Sequence, residues 1–213
     1  MSEISDNFEE LYIRTSDLKS SEIYHLENTP EKKEKNPFMG LHGIRYGLKY
    51  PDILKSELYA IKRIAKENKT VGIILPQITS VKEFKKVKEY TKELEMDNIK
   101  VGIMIETPAA VQLIKDFAEE QIDFILIETD DLMQSLLVLD KTNPETKEFF
   151  EETHPALIYQ LEYIIRVCKR RNIETTLSGN ITQNDEILKL LIQKGISSIV
   201  IPPEQAKETS EKI

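Results

Sequence analysis

From Val71 onward the chain repeats one pattern: a short apolar run, a turn, then a longer segment whose apolar positions fall three and four apart. Val71-Gly-Ile-Ile-Leu-Pro76 is a continuous run rich in β-branched residues and ended by proline, which predicts a strand covered on both faces. Ser80-Val-Lys-Glu83 reads as a capping box opening a helix. Its stripe would carry Phe84, Val87, Tyr90 and Leu94. Residues 100–105 predict the next strand and 109–119 the next helix, with Val111, Ile114 and Ala118 inward. A third strand follows at 122–127, then a short helix around 131–137. Beyond a polar stretch at 140–153, Pro155 starts a helix with Leu157, Leu161, Ile164 and Cys168 on its inner face. Two more strands, at 173–177 and 196–201, flank a helix capped near Thr182 and closed by Gly195.

The first seventy residues are less regular. Leu11-Tyr-Ile-Arg14 predicts a strand ending in arginine, and 27–35 a charged loop. Pro51 opens a helix with Leu54, Leu58, Ile61 and Ile64 on one face. Alternating helices and near-continuously apolar strands imply an α/β fold with a parallel sheet. Neither G-x-G-x-x-G nor G-x-x-x-x-G-K-[ST] occurs, so nucleotide-binding folds lose their main support. Several strands end instead in polar residues (Glu106; Glu128 with Asp130 and Asp131; Ser178), as at the active-site mouth of a barrel. The expected architecture is a (β/α)8 TIM-barrel-like single domain over 1–213, with 1–8 and 209–213 disordered.

Composition narrows the classes. A net charge of -8 argues against a general nucleic-acid or anionic-membrane binder. The longest apolar runs fall far short of the roughly 20 residues that span a bilayer. A lone cysteine, Cys168, rules out a disulfide framework and Cys-based zinc patterns, which fits a cytoplasmic protein.

Glu106 and Asp131 each follow an apolar strand, and two carboxylates leaving room for water and substrate suit Mg²⁺ or Mn²⁺. Helix N-terminal interactions would explain the same pair. Arg14 has the fork to hold a carboxylate or phosphate, or a surface ion-pair partner. Ser178 lies in Leu-Ser-Gly-Asn, outside any G-x-S-x-G elbow. His25, His42 and His154 show no metal-binding spacing, and His154 reads as structural.

Taken in order, these residues resemble a known family. Tyr12-Ile-Arg-Thr-Ser-Asp17, Asn36-Pro-Phe-Met-Gly-Leu-His-Gly-Ile-Arg45, Ile103-Met-Ile-Glu-Thr-Pro108 and Thr129-Asp-Asp-Leu-Met-Gln134 resemble successive motifs of the C-terminal barrel of phosphoenolpyruvate synthase and pyruvate phosphate dikinase. The segment from Phe149 to Pro155 and Leu177-Ser-Gly-Asn180 continue the match. The resemblance implies that Glu106 and Asp131 hold Mg²⁺ on pyruvate or its enolate. It also implies that Arg14 and His42, with Asp130, contact substrate, and that Ser178 stands at a proton-exchanging position.

The departures bear on activity. Ser178 stands where the family has a cysteine and His42 where it has an arginine, removing a readily donated proton and a permanent bidentate charge. Asp130 replaces asparagine and Glu128 a small residue, adding negative charge beside an anion site. The family's first barrel strand and its phosphohistidine and ATP-binding domains are missing, leaving about seven strands. The expected function is a divergent phosphoenolpyruvate synthase-related barrel that binds a small 2-oxo acid or PEP-like ligand without synthesising PEP alone. The alternatives are a metal-dependent lyase or aldolase of the citrate lyase type, or a non-catalytic assembly or sensor homologue. Expected partners are a second copy of the chain and a separate phosphohistidine/ATP-binding polypeptide, with no nucleic acid and no membrane.

Overall fold

Continuous apolar strands that alternate with amphipathic helices pair in parallel, because each helix carries the chain back to the start of the next strand. The computed structural model describes residues 8–23, 34–65 and 70–212. His25, most of the charged stretch at 27–35, and the ends 1–7 and 213 lie outside the described residues. The chain divides into two compact units, residues 1–103 and 104–213, parting within β3 (Lys100–Ile105).

In the first unit, β1 (Glu10–Arg14) pairs with β2 (Thr70–Leu75) from Glu10↔Thr70 to Arg14↔Ile74. β2 pairs in turn with β3 from Gly72↔Lys100 to Leu75↔Ile103. A short helix, α1 (Ser20–Ile23), follows β1, and α2 (Ile44–Lys49) and α3 (Pro51–Ala65) precede β2. The inner face of α3 is Leu54, Leu58, Ile61 and Ala65, with Ala65 taking the place predicted for Ile64. The capping box before α4 (Val81–Glu93) is present in both directions: Ser80 Oγ accepts from the Glu83 N–H, and the Glu83 carboxylate accepts from the Ser80 N–H at 2.9 Å. Leu94 leaves the predicted stripe because α4 ends at Glu93; Thr91 is buried in its last turn instead.

In the second unit, β4 (Phe124–Glu128), β5 (Glu174–Ser178) and β6 (Ser198–Ile199) follow in that order and pair in parallel. The helix predicted for 109–119 is two pieces, α5 (Pro108–Gln112) and α6 (Ile114–Glu119), meeting at Leu113. With that break the inward residue of α6 is Phe117, fully buried, in place of Ala118. α7 (Thr129–Leu137) leaves directly from β4, and α8 (Pro155–Arg170) buries Leu157, Leu161, Ile164 and Cys168 as expected. α9 (Asp185–Lys194) is capped by Asn184, whose Oδ1 accepts from the Ile187 N–H at 3.1 Å. Thr182, the predicted cap, lies in a 3-10 turn and donates to the Gly179 carbonyl at 2.9 Å. Gly195 closes the helix at φ +114°, a conformation that strains any side chain.

β6 is shorter than predicted. Its flanks still hold to β5 through Ser197 N–H to Thr175 O and Val200 N–H to Leu177 O, both 2.8 Å, before Pro202 stops the ladder. The described residues hold six strands, as many as the apolar runs predict and one fewer than the seven or so the family resemblance leaves, and residues 209–212 belong to a last helix, α10 (Ala206–Lys212). No helix among the described residues is long and apolar enough to cross a membrane.

Removing the Phe117 ring leaves a cavity that rigid strands and helices cannot close, so Phe117→Ala should cost about 3–5 kcal/mol. Ser80→Ala, which removes one cap acceptor at the surface, should cost about 1 kcal/mol. Urea denaturation of both variants, read by circular dichroism, checks the ratio.

Candidate functional site

The second unit gathers polar groups where β4 and β5 end. The parallel register sets Glu128, the last residue of β4, beside Ser178, the last of β5. One residue on, Thr129 Oγ1 donates to the Ser178 carbonyl at 2.8 Å, and the Asn180 N–H donates to the Asp130 carboxylate at 3.2 Å. Gly179, at φ +106°, lets the two turns close: a Cβ there would run into Thr129 Oγ1 and come within 3.1 Å of Asp130 Oδ1.

Asp131 points to a lysine that sequence reading missed. Lys141 Nζ lies 2.8 Å from Asp131 Oδ1, and both side chains are mostly shielded from water. The lysine is held in place because its own N–H donates to Gln134 Oε1 at 3.0 Å, beyond the left-handed C-cap Val138. Asp140 steadies the same turn by accepting from the Thr142 N–H and hydroxyl. In sequence Lys141 is one charge in a polar stretch, and nothing there separates it from a solvated side chain.

Charge crowds this corner. Burial pushes the Glu128 carboxyl above the usual range; Asp130 and Asp131 add to the effect, while the Ser178 hydrogen bond and Lys141 oppose it. Burial also raises Asp130, against the Asn180 N–H and Lys141. A cavity of about 260 Å³ opens beside these groups, lined by Asp130, Lys141, Lys147, Phe150, Glu152 and Asn180. Glu106, the first residue after β3, is buried at 1% exposure, and Thr107 beside it caps α5 by accepting from the Ala110 N–H. Asp130, Asp131 and Ser178 thus fall in one corner. Among the described residues, no group of three or more His, Cys, Asp or Glu is arranged to hold a metal ion.

Arg14 and His42 belong to the first unit. Arg14 ends β1 and pairs with Asp17 at 3.2 Å, so its guanidinium already has a carboxylate. His42 is buried at 4% exposure, before a turn in which the Ile44 N–H donates to the Pro76 carbonyl. In the second unit His154 caps α8 through Nδ1, which accepts from the Ala156 N–H at 3.2 Å. This is the structural role expected of it. Burial pushes the Cys168 thiol up to about 12, so it is inert at neutral pH.

A family model described as "PEP-utilising enzyme, PEP-binding domain" matches residues 5–213. The chain belongs to the PEP-utilising enzyme family. A probable phosphoenolpyruvate synthase of Methanocaldococcus jannaschii is 38% identical over 191 residues, covering 87% of this chain and 16% of that protein. One from Pyrococcus horikoshii is 34% identical over 201 residues, covering 91% of the chain and 24% of the relative. The chain therefore spans a quarter or less of these relatives. Among solved structures, a lead(II) complex of Haloferax volcanii malate synthase superposes with a TM-score of 0.63 at 17% identity, covering 99% of this chain and 56% of that one. A citrate lyase from Burkholderia xenovorans LB400 superposes at 0.58 and 16% identity, covering 74% and 53%. This PEP-binding domain has the α/β, TIM-barrel-like fold expected of it.

Two outcomes follow from this corner. Gly179→Ala combines a left-handed backbone with a steric clash and should destabilise the domain by about 1–3 kcal/mol, measured by urea unfolding. Glu128 holds its proton to a higher pH in the folded than in the unfolded chain. The folded state therefore binds more protons across that window, and stability falls as pH rises through it. Glu128→Gln should raise Tm at neutral pH and match the unmodified protein once pH falls below about 4, where the carboxyl is protonated in both states. Calorimetry across that range tests the convergence.

Proposed function

We propose that this domain binds a small 2-oxo acid or PEP-like anion together with Mg²⁺ or Mn²⁺ at its strand ends, and does not make phosphoenolpyruvate unaided. The observation that carries the reading is the family match over 5–213, which takes in both Glu106 and Asp131. In this reading these two carboxylates hold the cation. Their chemistry suits it: hard divalent ions prefer oxygen donors. The corner also already directs a carboxylate at positive charge, since Asp131 holds the Lys141 ammonium at 2.8 Å. When bound, the cation would polarise the carbonyl of the 2-oxo acid.

The side chains of the domain supply the rest. In the second unit Asp130 and Ser178 are the proposed ligand contacts; for Arg14 and His42, in the first unit, an anion-binding role is what the family resemblance implies. A buried histidine offers less charge and fewer donors than a guanidinium, which weakens the hold on a multiply charged phosphate ester. Ser178 is a much weaker acid than a thiol, and Cys168, buried on α8, does not substitute for one. A phosphoryl-carrying partner and self-association stand beside this binding role as part of the proposal.

Mg²⁺ or Mn²⁺ with millimolar pyruvate or oxalate should raise Tm by several degrees, and Glu106→Gln and Asp131→Asn should each abolish the metal-dependent part. Differential scanning fluorimetry decides it. An unchanged Tm with every ligand, or a full shift in both variants, rejects the site.

A further inference from the structure

β1 stands at one end of the sheet, with β2 on one side and, among the described residues, no strand on the other. The ladder fixes which backbone groups face that open side. The Thr15 N–H donates to the Ile74 carbonyl at 3.1 Å. Thr15 and, by the alternation of a strand, Ile13 and Leu11 therefore turn their N–H and C=O towards β2, while Glu10 and Arg14 turn theirs outward. Proteins commonly blunt such an edge with proline, a bulge or lysines. β1 has none of these: it reads Glu-Leu-Tyr-Ile-Arg and pairs with β2 residue for residue from Glu10 to Arg14. Its two ends carry opposite charge. Between them Leu11 and Ile13 are only half-buried, whereas the apolar residues of β2 and β3 are buried.

We infer that this edge is an interface between two copies of the chain, their β1 strands running antiparallel about a two-fold axis at Tyr12. The pairing rests on the self-association proposed above, for which it supplies the surface, and it needs no ligand. Glu10 of each copy then falls opposite Arg14 of the other, and Leu11 opposite Ile13. Glu10 and Arg14 both point their N–H and C=O outward, so they exchange backbone hydrogen bonds, and the two-fold makes each such pair twice. On one face of the new ladder each carboxylate meets a guanidinium. On the other, Leu11 packs against Ile13, and both lose the exposure they have at an open edge. The register is specific. A shift of one residue would set outward groups against groups already committed to β2, and a shift of two would break both charge pairs. The side chains can reach for a second partner. Arg14 is paired with Asp17 at 3.2 Å but is half-exposed, and its guanidinium has donors to spare. Glu10 is also half-exposed, with Lys100 Nζ at 3.8 Å and the Tyr12 hydroxyl donating to it at 3.3 Å.

Sedimentation velocity of the 213-residue chain over a concentration series tests the interface. The unmodified chain should pass from monomer to dimer as concentration rises. Glu10→Arg and Arg14→Glu should each weaken the dimer at least about tenfold, because the two-fold turns two attractive pairs into two repulsive ones. Both changes together should return the dimerisation constant to within about threefold of the unmodified value, since the pairs between copies are restored. Within the chain the double exchange sets like charges against Lys100 and Asp17, so the recovery reads only the contact between copies. Glu10→Pro removes an outward N–H at the first residue of the strand and leaves the β2 ladder whole, so it should lose the dimer while keeping its circular dichroism. Should a single charge variant fail to fold, the double exchange and Glu10→Pro decide. A dimer of unmodified strength in Glu10→Pro or in both single variants overturns this surface and leaves self-association standing on another. Loss in the single variants with no recovery in the double overturns the antiparallel register. A chain that stays monomeric at every concentration overturns both the interface and the self-association, and leaves the edge to a strand of a different protein.

Discussion

The parallel register of β4 and β5 is the constraint on which this site depends. β5 buries Thr175 and Leu177 and exposes Glu174, so a slip of one residue would turn Leu177 out of the core and Glu174 towards it. Burial therefore decides that Glu128 stands against Ser178, and the Thr129 hydroxyl then ties the two turns together. The polar corner is assembled by apolar residues that take no part in its chemistry. Loops alone would not hold a carboxylate and a hydroxyl at that spacing, because each loop would have to be ordered at the expense of chain entropy.

Charge gives the corner its character. Glu128, Asp130 and Asp131 crowd the start of α7, a place where negative charge meets the positive end of a helix dipole. That helps only so far, since burial still lifts Glu128 and Asp130 above the ordinary carboxylate range. Lys141 relieves part of the repulsion from within the chain. A divalent cation would meet an acidic site already partly neutralised, so any cation has to compete with an ammonium held by its own turn.

Much of the fold was legible. The β-branched runs gave the strands to within a residue or two, and the Ser80 capping box formed as its spacing implied. Misreadings came at helix ends, where propensity is weakest. Leu113 splits a helix that periodicity ran straight through, and Asn184 takes the cap assigned to Thr182, because Thr182 is already committed to the Gly179 carbonyl. In the site, Asp130, Asp131 and Ser178 were visible as strand-end residues and do come together. Lys141 was not, because its partner lies ten positions back, across a helix and a turn that only folding brings round.

By itself the sequence determined the class of fold, since short apolar runs alternating with amphipathic segments have few ways to bury both faces of a strand other than a helix-covered parallel sheet. It also determined which residue types sit at strand ends, and the motifs that mark the family. Only the tertiary structure decided what those residues touch. Arg14 faces Asp17, Asp131 faces Lys141, and Glu128 stands beside Ser178. The reason is physical: strand and helix periods are local properties of the chain, whereas an ion pair or a shifted carboxyl depends on distances and burial that exist only after the strands have paired.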